Sequence, residues 1–106
     1  MVARVWRGLA HAAHADAYLA HVTGPVFAGL AALAGHRGGT VLRRDVPGGV
    51  EFVVTTYWDS REAIRAFAGP DIDRAVVHDD ARRVLASWDD TVRHYDVAHD
   101  RRPAGD

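Results

Sequence analysis

The sequence predicts an α+β domain of the ferredoxin-like type: a split βαβ unit with a four-stranded antiparallel sheet and helices on one face. Three observations carry this. The apolar period alternates between two and 3.6 in the order strand, helix, strand, strand, helix, strand. The two middle strands are joined by Pro47-Gly48-Gly49, a turn short enough for a hairpin. The second of them, Glu51 to Trp58, carries apolar residues on both parities, with Phe52, Val54 and Trp58 on one side and Val53 and Tyr57 on the other. A sheet with two apolar faces needs cover on both. Helices supply one cover, and a second copy of the same sheet supplies the other, giving a dimeric α+β barrel with a two-fold axis.

Val2 to Arg7 is expected to be the first strand, closed by Gly8. From about Ala12 the spacing turns helical: Tyr18, Leu19, Val22, Val26, Leu30 and Leu33 recur every three or four residues. Gly24-Pro25 interrupts that run, because Pro25 lacks the N–H of the helical ladder, and a kink or a break into two helices is expected there. Gly35 is the stop. Thr40 to Val46 and Glu51 to Trp58 form the hairpin. Asp59 is placed as N-cap of the next helix, with Glu62 in the capping-box position, and that helix ends at Gly69-Pro70. Ile64, Phe67 and Ala68 share its inward stripe. Ile72, Ala75 and Val76 share one face of a following helical piece, and Ala81, Val84, Leu85 and Trp88 share another. Thr91 to Val97 is the last strand. One domain over residues 1–98 is expected, and His99 to Asp106 is a polar tail expected to be flexible.

With 106 residues, 13 basic against 14 acidic side chains and no basic stripe, the composition is that of one globular domain and argues against a nucleic-acid partner. The absence of Cys excludes disulfides, thiolate metal sites and cysteine nucleophiles. No apolar run approaches the length of a membrane span, and the first residues lack a signal-peptide pattern, so a soluble cytoplasmic protein is the expectation.

The stretch TTYWDSREAIRAFAGPDIDRAVV, Thr55 to Val77, resembles the strand-to-helix segment of antibiotic biosynthesis monooxygenase domains. VARVWRG at the start, GTVLRRD in the middle and VRHYDV near the end are similar to the same family in the same order. The resemblance covers about 90 residues and implies the dimeric α+β barrel, with a pocket between sheet and helices in each subunit. Anthrone-oxidising members use O₂ without metal or flavin. They carry Asn and Trp on the third strand and Tyr on the following helix, where this chain has Val54, Trp58 and Ile64. Haem-degrading members carry Asn, Trp and His at positions held here by Trp6, Phe67 and Val77, with His78 one residue late. The chain therefore resembles the family more than either branch.

Among candidate functional residues, His78 stands before Asp79-Asp80 at a helix junction, where an imidazole can serve as general base or haem ligand. His94, in the last strand, is the second candidate base. Trp6, Phe27, Trp58 and Phe67 are the flat or bulky groups that would hold an aromatic ring. His11 and His14 have spacing for weak chelation only, so no metal is expected. Arg43, Arg44 and Arg93 should be paired within the sheet, with Glu51 and Asp96 as partners. The expected function is a small oxygenase or related tailoring enzyme acting, without cofactor, on an aromatic or polyketide-like substrate. The alternatives are a non-catalytic dimer that binds a small hydrophobic molecule, and a haem-binding relative with His78 as axial ligand.

Overall fold

The computed structural model describes residues 1–101. Five strands build one antiparallel sheet: β1 (Val2–Ala10), β2 (His36–Val46), β3 (Gly49–Trp58), β4 (Leu85–Trp88) and β5 (Arg93–Asp96). Their order is β2-β3-β1-β4, with β5 also paired to β1. The helical segments are a 3₁₀ turn at Ala12–His14, then α1 (Ala15–His21), a π turn (Val22–Val26), α2 (Phe27–Ala31), α3 (Arg61–Ala68) and α4 (Asp79–Arg82).

Strand β3 displays the two-residue period most clearly. Val50, Phe52, Val54, Thr56 and Trp58 are buried, while the residues between them are half-exposed. The register Val2↔Trp58 through Ala10↔Val50 places Arg4, Trp6 and Gly8 on the same buried face. The core lies between that face and the helices. One part gathers Phe52, Tyr18, Val22 and Leu85, and the other Trp58, Ile64, Leu30 and Val2. Strand β1 runs past Gly8, the expected end, because both its edges have partners as far as Ala10.

The fourth position of the sheet differs from expectation in being split. Leu85–Trp88, expected on a helix face, pairs with Gly8–Ala10 through a register shift. Arg93–Asp96 pairs with Val2–Val5. Between them the chain leaves the ladder: the amide of Ala75 donates to the Asp90 carbonyl (2.8 Å), and that of Val92 donates to the Asp73 carbonyl (2.8 Å). An unpaired β1 edge exposes backbone donors and acceptors, so pairing there outweighs the local three- and four-residue spacing of Ala81 to Trp88. The expected helical piece at Ile72 to Val76 is absent, because the Ile72 and Arg74 carbonyls accept from the Arg4 guanidinium.

Pro25 interrupts the first α-helix as expected, separating α1 from α2, but not by a loop. The ladder widens instead to one π turn around it, and helical backbone resumes in α2. The N-cap of α3 is Ser60 rather than Asp59: its hydroxyl accepts from the Ala63 amide at 3.2 Å. Asp59 is engaged elsewhere, accepting two hydrogen bonds from Arg37 at 2.7 and 2.9 Å. Arg44 pairs with Glu51 as expected (2.7 Å), but Asp96 pairs with Arg61 of α3 (2.8 Å), and Arg43 lies 3.4 Å from Asp16 of α1. The tail expected from His99 to Asp106 falls outside the described residues beyond Arg101.

His36 sits at the start of β2, edge-on to Trp58 with ring centroids 5.0 Å apart, and its Nε2 has no hydrogen-bond partner among the described residues. Burial lowers its pKa below the usual imidazole value. Between that lowered value and about 6.5, the unfolded chain binds more protons than the folded one. Stability should therefore be full above about pH 6.5 and fall as the pH drops below it. Urea denaturation at pH 7.5, 6.5 and 5.5 should show a falling midpoint with unchanged slope, and His36→Phe should flatten the fall. A variant as acid-sensitive as the parent would remove His36 as the cause.

Candidate functional site

A cavity of about 70 Å³ opens between the buried face of the sheet and the helical layer. At ~10–15 Å³ per water centre this is room for about five waters, a displaced volume of roughly 150 Å³ that accepts one benzene-sized ring. Its floor comes from the sheet: Arg4 and Trp6 of β1, and Val54 and Thr56 of β3. One wall is the first helical region, with Tyr18, Val22, Val26 and Leu30, and the facing wall is Phe67 with Val76 and Val77. His21 and His78 also line it, their rings edge-to-face with centroids 5.8 Å apart.

The sequence-predicted residues divide. Trp6, Phe67 and His78 line the cavity. Trp58 does not: it is wholly buried in the core, stacked on Phe67 (6.1 Å), and its indole N–H donates to the Thr56 hydroxyl at 2.9 Å. Phe27 packs into both halves of the core, outside the lining. His94 also stands outside it, and both its ring nitrogens are occupied. Arginine has only donors, so Nε2 accepts from Arg4 (3.0 Å) and the proton sits on Nδ1, directed at Asp73 Oδ1 3.2 Å away. Burial first, and the Arg4 cation second, hold this imidazole below its ordinary pKa, so it is neutral near pH 7.

Three lining groups were not assigned to a cavity from the sequence. Arg4 is 4% exposed, on the buried parity of β1, and its guanidinium lies over the Phe67 ring at 5.7 Å. A charged residue sharing parity with Val2, Trp6 and Gly8 is the signal that would have found it. Tyr18 is buried against Phe52 (4.8 Å) and Trp6 (6.0 Å). Burial pushes its phenol well above the usual range, so it stays protonated and available as a donor. His21 is brought to the cavity by helical phase, one turn after Tyr18.

The Trp6 indole donates to the Asp89 carbonyl at 3.0 Å, and its six-membered ring lies over Gly8. A Cβ at Gly8 would overlap that ring, with Cζ2 and Cζ3 at 3.0 Å. Glycine at this strand position lets the indole lie flat as part of the floor.

Comparison with solved structures finds the same fold in a proposed antibiotic biosynthesis monooxygenase from Bacillus cereus. It is 18% identical, with a TM-score of 0.67 over 97% of this chain and 96% of that one. A second protein of the same description, from Chloroflexus aurantiacus J-10-fl, is 17% identical with a TM-score of 0.64, over 94% and 95% of the two chains. No family model and no curated protein matches the sequence. The chain thus has the antibiotic biosynthesis monooxygenase fold, as its motifs implied. Among the described residues, no helix is long and apolar enough to cross a membrane, and no cluster of three metal-ligating side chains occurs.

Gly8→Ala should displace the Trp6 ring and cost about 1–3 kcal/mol, the range for overpacking a core site. Thermal denaturation and near-ultraviolet circular dichroism would record both effects. A variant with the parent's melting temperature and aromatic spectrum would show that the Trp6 ring does not depend on Gly8.

Proposed function

We propose that this protein is a small oxygenase or related tailoring enzyme that holds a single-ring aromatic substrate in the cavity between sheet and helices. The observation that carries the reading is His78 on the lining of a cavity that is otherwise largely apolar. Oxygen activation without a cofactor requires an electron-rich substrate anion, a base to create it and few waters to quench it. His78 is the base in this reading, with His21 beside it as the second imidazole. Trp6 and Phe67 hold the ring from floor and wall. The enclosed part of the cavity, with room for about one ring, suits a single-ring substrate.

The reading includes a homodimer. The open face of the sheet carries Val5, Leu9, Leu42 and Val53, with Leu42 59% and Tyr95 53% exposed. Glu51 on that face accepts from Arg44 at 2.7 Å and stands 3.5 Å from Arg7. A face with exposed apolar residues is suited to sheet-to-sheet packing.

Two measurements test this. Oxygen uptake with a panel of single-ring phenols should fall roughly 10²-fold or more in His78→Gln, the scale of general-base loss. Uptake at the parent's rate in that variant would remove His78 from the mechanism. Light scattering at micromolar concentration should give twice the chain mass, and a monomer would overturn the dimer.

A further inference from the structure

Arg4 is a buried cation whose charge has no direct carboxylate partner among the described residues. A guanidinium has five N–H groups. Nη1 donates to the Ile72 carbonyl and to His94 Nε2, and Nη2 donates to the Arg74 carbonyl at 2.9 Å. The Nε hydrogen and one Nη2 hydrogen have no acceptor among the described residues. The nearest acidic group reaches Arg4 only through His94: Asp73, whose side chain is 75% exposed. Burial therefore dominates, lowering the guanidinium pKa to about 10, with Asp73 compensating in part. Arg4 stays cationic at neutral pH, and a buried cation is costly unless an anion answers it. The cavity it lines supplies no anion: Val54, Leu30 and Phe67 are apolar, and its other polar groups are Tyr18, Thr56 and two imidazoles. The Tyr18 hydroxyl, protonated and without a hydrogen-bond partner among the described residues, is a second unused donor on the lining.

We propose that the cavity takes a compact aromatic carboxylate, with its negative charge on Arg4 and its ring between Trp6 and Phe67. A carboxylate is ionised through the whole neutral range, whereas a free phenol is not. Its two oxygens suit the two N–H groups that Arg4 leaves unused. This deepens the proposed function by naming the substrate class, and it rests on the cavity being the ligand site.

Benzoate and benzamide have nearly the same shape and differ in charge. Titrating each into the full chain, read by quenching of tryptophan fluorescence, should show benzoate binding about tenfold or more tighter, the scale of a hydrogen bond to a charged group. The preference should vanish in Arg4→Gln and persist in Tyr18→Phe. The comparison on the unaltered protein stands even if Arg4→Gln does not fold. Equal binding of the two ligands, or tighter benzamide, would overturn the anion site and leave the cavity reading intact. No binding of either at millimolar concentration would overturn both.

Discussion

The guanidinium of Arg4 ties three separate parts of the chain together. It projects from the central strand onto the buried face, where a charge must be answered by fixed dipoles. The carbonyls of Ile72 and Arg74 provide them, and in doing so they hold the stretch after α3 in a non-helical path. That stretch then hydrogen-bonds the chain at Asp90 and Val92 and lifts it off the sheet, so the fourth position is filled by two short strands. The wall at Val76 and Val77 and the approach to His78 continue from the same stretch. One buried charge thus sets the course of the segment that closes the cavity.

The sheet itself needs no such device. Alternation along Glu51 to Trp58 assigns each side chain a face, and a one-residue slip would bury Glu51 and expose Phe52 and Trp58. The two faces then diverge in use. The helix-covered face holds the cavity and its few polar groups, while on the open face two arginines, Arg7 and Arg44, converge on Glu51.

The first three strands, the hairpin and the inward stripe of Ile64 and Phe67 were legible because each rests on local periodicity. Phe67 is half-buried on Trp58 and beneath Arg4, where the stripe placed it. The errors have one origin, which is competition from partners distant in sequence. Asp59 has the chemistry of a cap, but Arg37 takes its carboxylate and Ser60 becomes the cap. Leu85 to Trp88 has a helical spacing, but the edge of β1 recruits it. At the cavity, aromatic size pointed to Trp6 and Phe67 and also to Trp58, which the core absorbs completely. The polar groups were harder to see, because what marks Arg4 and Tyr18 is the company of apolar neighbours and not a motif of their own.

The π turn at Val22–Val26 has a consequence for alignment. Tyr18, Val22, Val26 and Leu30 stand at successive four-residue steps, and all four border the cavity. On an unbroken α-helix each such step overshoots a full turn by about 40°, so three steps would swing Leu30 roughly 120° around the axis from Tyr18. The wider turn around Pro25 absorbs much of that rotation, and all four side chains reach the cavity. Proline here works as a phase corrector: the residue that forbids a regular helix lets a single rib run the length of the cavity.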